Sequence, residues 1–185
     1  MGHLLGPDFL LSSLTANIAR PGGDAMGLHT DQGYVGFWTP VAAVANIAWM
    51  LDDFTADNGG TRLVPRSHLY SLDGSARQSE TPLDPSQRPS QADTIAAQGK
   101  AGSILCFDGR VWHGTGANHS DRQRHALLSY HCLPFVRQQE NFTLGLDPEV
   151  RASERPELLN RLGYKVWAGL GRVETPGDPG KGITP

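Results

Sequence analysis

The chain has 185 residues, a hydrophobic fraction of 38% and a formal net charge of −3. That length predicts one domain with a core of its own, and the charge gives no reason to expect a nucleic-acid partner. No apolar run reaches the length of a membrane span, so no membrane partner is expected either.

The start MGHLLGPDFLLSS has neither a basic n-region nor a small-residue cleavage site, and no signal peptide is expected. Cys106 and Cys132 both lie in apolar runs. They read as buried free thiols in a reducing, cytoplasmic setting. Gly 22 and Pro 13 favour strands and turns over a helical bundle.

In chain order, Phe9 to Ile18 alternates and predicts a strand stopped by Arg20-Pro21-Gly22-Gly23. His29 and Asp31 follow in the run GLHTDQG. On a strand their side chains would point the same way, because the period is two. Tyr34, Phe37 and Trp38 are placed either to line a pocket or to fill the core. Ala42 to Leu51 reads as a buried strand on the strength of Val44, Ile47 and Trp49, with Asn46 as its odd polar residue. Asp52 and Asp53 read as strand-end polar residues rather than metal ligands, and Asp57-Asn58-Gly59-Gly60 is a tight turn. Thr61 to Val64 then predicts a strand ended by Pro65, and His68 a loop-ordering hydrogen bond.

Leu69 to about residue 98 is dominated by Ser, Gln, Asp and Pro. It is expected to be a long inserted loop, either a lid over a site or a surface excursion. Ser103 to Phe107 and Val111 to His113 are short strands, and Ala126 to Phe135 a longer one. Short helices are expected from Asp147-Pro148-Glu149 and over Pro156 to Leu162, and a frayed tail from Thr175 to Pro185.

His29, Asp31 and, far away in the chain, His113 form a candidate metal set. Two imidazoles and one carboxylate occupy one face of an octahedron and leave three positions open, the arrangement of non-heme Fe(II) oxygenases. A lone HxD is a weak signal; its surroundings strengthen it. The stretch from about Leu4 to Gly171 resembles the phytanoyl-CoA dioxygenase family of Fe(II)/2-oxoglutarate-dependent oxygenases. The resemblance is carried by His29-Thr30-Asp31, by Asn58-Gly59-Gly60-Thr61-Arg62-Leu63-Val64-Pro65-Arg66-Ser67-His68, by His113 to Asn118 with Ser120, and by Arg124.

The resemblance implies an all-β double-stranded β-helix (a jelly roll, cupin-like) with short helices on its C-terminal side, as one domain over residues 1–174. It implies Fe(II) held by His29, Asp31 and His113, with 2-oxoglutarate and O₂ as cosubstrates. Arg124 would grip the far carboxylate of 2-oxoglutarate, since a guanidinium meets a carboxylate in planar, bidentate geometry. Arg122 is the alternative. Asn46 is either a satisfied core amide or, as the resemblance suggests, a cosubstrate contact, and Thr115 beside His113 is another candidate contact.

The implied reaction is hydroxylation of an unactivated C–H bond of a small organic substrate, coupled to decarboxylation of 2-oxoglutarate to succinate. Related halogenases carry a small residue where Asp31 stands, so the carboxylate argues for hydroxylation. Two other readings stay open. One is an inactive or truncated β-barrel that binds a small molecule; the other is a cupin-like dioxygenase that needs no 2-oxoglutarate and hence no Arg124. Family members have a larger region before the first ligand than residues 1–28, so the scaffold is either pared down or incomplete. Neither the substrate nor the oligomeric state is legible.

Overall fold

The structure is a computed structural model, which describes residues 1–35, 39–69, 88–153, 155–175 and 178–182. It is built mainly from antiparallel strands with a few short helices, the all-β class expected. Two compact units are present: Leu14–Ser129, and Met1–Ser13 with Tyr130–Pro185.

The strands are β1 (Leu10–Ala19), β2 (Val44–Met50), β3 (Thr61–Leu63), β4 (Ile95–Ala96), β5 (Ile104–Asp108), β6 (His113–Thr115) and β7 (Arg124–Cys132). They form one sheet of order β1-β7-β2-β5 and another of order β4-β3-β6. Ala42 to Leu51 was expected to be a buried strand. β2 is buried at Val44, Ala45, Ala48 and Met50, whereas Trp49 is exposed and donates its indole N–H to Ser129 Oγ at 2.9 Å. The inward side builds a core in which Met50, Phe54 and Ala126 pack with Leu105 and Leu128. β2 and β5 pair so that Asn46 lies opposite Phe107.

The expected turn at Gly59 is real and needs glycine. Its φ is +79°, and a Cβ there would stand 2.6 Å from the Ala19 Cβ. The stretch expected to be one long loop ends in order. A turn at Gln91–Asp93, closed by a reciprocal Ser90–Asp93 capping box, leads into β4, which pairs with β3. Residues 70–87, the rest of that stretch, lie outside the described residues, as do Phe37 and Trp38.

The other unit carries α1 (Gly2–Leu5), α2 (Phe142–Gly145), α3 (Pro148–Arg151) and α4 (Pro156–Arg161). Asp147 caps α3 by accepting from the Glu149 N–H, and Pro148 starts it. Leu159, Leu162 and Tyr164 form its buried cluster, against which Leu11, Phe142 and Leu146 pack. Beyond it, β8 (Arg172–Thr175) pairs with β9 (Asp178–Gly182), and β9 falls in the stretch Thr175 to Pro185 that was expected to fray. Among the described residues no helix is long and apolar enough to cross a membrane.

The cysteines divide. Cys132 is buried as expected, but Cys106 is exposed, because the two-residue period of β5 turns it away from the side on which Phe107 lies.

Candidate metal centre

The three candidate donors come together in the unit Leu14–Ser129, although the local geometry differs from that expected. His29 and Asp31 do not share a strand. His29 makes an isolated antiparallel bridge with His113, and Asp31 opens a 3-10 turn, Asp31–Tyr34. A bridge followed at once by a turn achieves what strand alternation was expected to do. One ligand atom from each of His29, Asp31 and His113 lies within 4.8 Å of the others.

The ring orientations suit a cation. His29 Nδ1 lies 3.1 Å from the Gly27 carbonyl, and His113 Nδ1 lies 2.9 Å from the Val111 carbonyl. A carbonyl only accepts, so in the neutral rings Nδ1 carries the proton and Nε2 is the bare nitrogen. Both Nε2 atoms turn to Asp31, at 3.6 Å for His29 and 3.3 Å for His113. Burial alone would push the Asp31 carboxyl up, but donation from Nε2 of His113 and His29 in their protonated form outweighs it and holds the group well below the usual carboxylate range. Asp31 in turn raises the His29 imidazole, against the opposing effect of burial. Once their Nε2 atoms are free of protons, two imidazoles with ordered outer nitrogens and one ionised carboxylate form a donor set that fits a divalent iron ion.

Four neighbours fix this set, and sequence reasoning missed the roles of all of them. Gln32 is fully buried. Its amide donates to Thr39 Oγ1 at 2.5 Å and accepts from the Ala43 N–H at 2.8 Å, while its own N–H donates to the Gly109 carbonyl. That ties the Asp31 turn to both flanking segments. Asn46 Nδ2 donates to Asp31 Oδ2 at 2.6 Å, so its partner here is the ligand carboxylate. The Phe107 ring packs edge-on against His113 at 4.7 Å between centroids. Asn118 bonds with both ends of its amide: Nδ2 donates to the Ala19 and Arg122 carbonyls, and Oδ1 accepts from Ser120. It thereby fixes the path from His113 to Arg124. Asn118 left a trace in the sequence as part of the run after His113, and Asn46 as the odd polar residue of its strand; Gln32 and Phe107 depend on which residues the fold brings together.

Arg124 is 2% exposed, whereas Arg122 is exposed. Arg124 Nη1 donates to Asn17 Oδ1 at 2.8 Å, Nη2 donates to the Gly59 carbonyl, and the guanidinium lies over the Phe54 ring at 4.5 Å. Its Nε has no hydrogen-bond partner among the described residues. The β3–β6 ladder orders these groups. Leu63 pairs with His113 and Thr61 with Thr115, and Gly59 lies beyond them. Thr115 therefore stands along the ladder between His113 and the Gly59–Arg124 contact.

Asp52 and Asp53 play the structural roles expected: Asp52 accepts from the His125 backbone and ring, Asp53 from Lys100 and Ala101. Near His68 the ordering hydrogen bonds run through Ser67, whose hydroxyl donates to the Val64 carbonyl and accepts from the Trp112 N–H. In the other unit a cavity of about 640 Å³ includes Arg161 and Lys165 in its wall. Its chemistry is already spent internally, since Arg161 donates to the Pro7 and Phe9 carbonyls and Lys165 pairs with Asp8.

The fold is that of known non-heme oxygenases. The chain superposes on the apo structure of ThoJ, a non-heme monooxygenase, with a TM-score of 0.55 at 24% identity, over 76% of this chain and 52% of that one. The structure of EvdMO1 matches with the same TM-score of 0.55 at 22% identity, over 72% of this chain and 29% of that one. The sequence supplies the family. The Phytanoyl-CoA dioxygenase (PhyH) pattern matches residues 2–126, and the chain belongs to that family. Dioxygenase af480 of Aspergillus fumigatus is 35% identical over 175 residues, which is 90% of this chain and 53% of that protein. Dioxygenase FUM3 of Gibberella moniliformis is 33% identical over 142 residues, 74% of this chain and 43% of that protein. The chain thus spans about half the length of these relatives.

Proposed function

We propose that this chain carries the active centre of a non-heme Fe(II)- and 2-oxoglutarate-dependent oxygenase that hydroxylates an unactivated C–H bond of a small organic substrate. The observation that carries the reading is the convergence of His29 Nε2, His113 Nε2 and the Asp31 carboxylate on one point, with both Nδ1 atoms held by carbonyls. Names of relatives such as dioxygenase af480 support the same class.

In this reading His29, Asp31 and His113 hold the iron from one side. When bound, iron with 2-oxoglutarate and O₂ supplies the oxidising chemistry, releasing succinate and CO₂ as oxygen enters the C–H bond. The protein's part is position and exclusion of water. Arg124 receives the distal carboxylate of 2-oxoglutarate. Its burial, and an Nε without a partner among the described residues, support this, because a buried guanidinium with a spare N–H favours an anion strongly. The pairing of Thr115 with Thr61, two residues along the ladder from the His113–Leu63 pair, supports a contact between Thr115 and the same molecule. Two free cysteines, one of them exposed, suit a reducing, cytoplasmic setting.

The test is anaerobic addition of Fe(II) and 2-oxoglutarate to purified protein, followed by visible absorption. A weak charge-transfer band is expected, lost in His113→Ala and shifted to higher 2-oxoglutarate concentration in Arg124→Ala. Folded, iron-loaded protein that gives no band would overturn the 2-oxoglutarate assignment and favour a barrel that only binds.

A further inference from the structure

The three donors are not carried by the strands best fixed in the core. His29 and Asp31 lie on a bridge and a turn, and His113 begins the three-residue strand β6. Among the described residues of the four-stranded sheet, the cross-strand pair of Asn46 on β2 and Phe107 on β5 approaches them. Opposite residues of an antiparallel pair share a face, and here each touches a different donor residue. Asn46 Nδ2 reaches Asp31 Oδ2 at 2.6 Å, and the Phe107 ring meets His113 edge-on at 4.7 Å.

We infer that the Asn46–Phe107 pair is the positioning element of the metal centre: Asn46 orients the Asp31 carboxylate, and Phe107 holds the His113 ring. This rests on the metal-centre reading above and assigns Asn46 a role other than the core amide or the cosubstrate contact between which the sequence left it. A hydrogen bond from a neutral amide to a carboxylate is short and directional. It also occupies one lone pair of Oδ2, which faces His113 Nε2 at 3.3 Å, and so fixes the carboxylate plane in which Oδ1 faces His29 Nε2 at 3.6 Å. An amide suits this task because it donates without adding a second negative charge beside Asp31. Phe107 supplies an apolar, edge-on stop against the His113 ring, whose Nδ1 is already tied to Val111. With one edge bonded and one side packed, rotation of that ring about its own bond is blocked. Neither residue touches the ion, so both are positioning residues.

The test uses Co(II) as a spectroscopic probe, titrated into the apo protein, with affinity read from the d–d absorption. Unsubstituted protein is expected to bind one Co(II), and Asp31→Ala to bind far more weakly. Asn46→Leu, which keeps the volume and removes the donor, is expected to bind roughly tenfold more weakly and to show an altered d–d spectrum. Phe107→Leu is expected to lose a few-fold in affinity. In the Asp31→Ala background, Asn46→Leu is expected to change the residual affinity less than twofold, since Asn46 acts through Asp31. Far-UV circular dichroism and the apo thermal midpoint separate misfolding from mispositioning; should Asn46→Leu misfold, Asn46→Ser is used in its place. Unchanged affinity and spectrum in a folded Asn46 variant would overturn the inference while leaving the metal centre intact. An equal loss with and without Asp31 would also overturn it. Absence of Co(II) binding by the unsubstituted protein would overturn the metal centre itself.

Discussion

His29 and His113 exchange two backbone hydrogen bonds, His29 N–H to the His113 carbonyl at 3.0 Å and His113 N–H to the His29 carbonyl at 2.9 Å. Two candidate ligands distant in sequence are thereby fixed at the backbone before either side chain binds anything. Their rings stand 4.5 Å apart between centroids.

That bridge depends on Gly114. A Cβ there would lie 3.0 Å from the Met26 carbonyl and 3.4 Å from the Gly27 carbonyl, and Gly27 holds the His29 ring. Gly114→Val is expected to push this segment away and weaken Co(II) binding about tenfold. Gly145→Ala, where a Cβ meets nothing within 4 Å, serves as the control and should leave affinity unchanged.

Arg124 is a structural residue as well as a proposed carboxylate receptor. Its removal leaves Asn17 Oδ1 and the Gly59 carbonyl without this donor. Arg124→Met should lower stability by about 2 kcal/mol in urea unfolding, even with no cosubstrate present. Arg124→Lys should restore part of that stability but not the affinity for 2-oxoglutarate, because an ammonium cannot reproduce the planar fork. Equal recovery of both would argue against a bidentate contact.

The two thiols should react at different rates. Burial pushes the Cys132 thiol up to about 11, only partly offset by Ser12, and its Sγ lies 3.6 Å from the Val136 carbonyl. Cys106 is exposed. At pH 8 one cysteine per chain should be alkylated rapidly, with peptide mapping assigning it to Cys106. Cys132 should follow only on denaturation.

Acid should weaken the unit Leu14–Ser129 partly through Asp52. The side-chain and backbone hydrogen bonds from His125 hold the Asp52 carboxyl below its ordinary value of 3.8. A folded value below the unfolded one means that the carboxylate stabilises the fold above about pH 4 and loses this effect as the pH falls through the depressed value. The stability difference between the native protein and Asp52→Asn, measured by urea unfolding, should therefore narrow below pH 4. The pair is partly solvated, so added salt should also shrink the difference.

The sequence alone determined the candidate donor types and the strand-rich architecture. His29, Asp31, His113 and Arg124 were legible as candidates because each is a residue whose chemistry is specific and whose spacing resembles a known family. β1, β2, β5 and β7 were readable because alternating or apolar runs leave few other ways to bury a chain. Tertiary structure decided how those parts meet. A hydrophobic pattern does not encode register, and only register sets Asn46 opposite Phe107 and turns Cys106 outward. Nor does composition show that Gln32 is buried to hold the Asp31 turn, or that Asn17 comes to rest against Arg124. A polar side chain reads the same in a sequence whether water or a buried partner satisfies it. Which of the two it meets is fixed only when distant segments pack together.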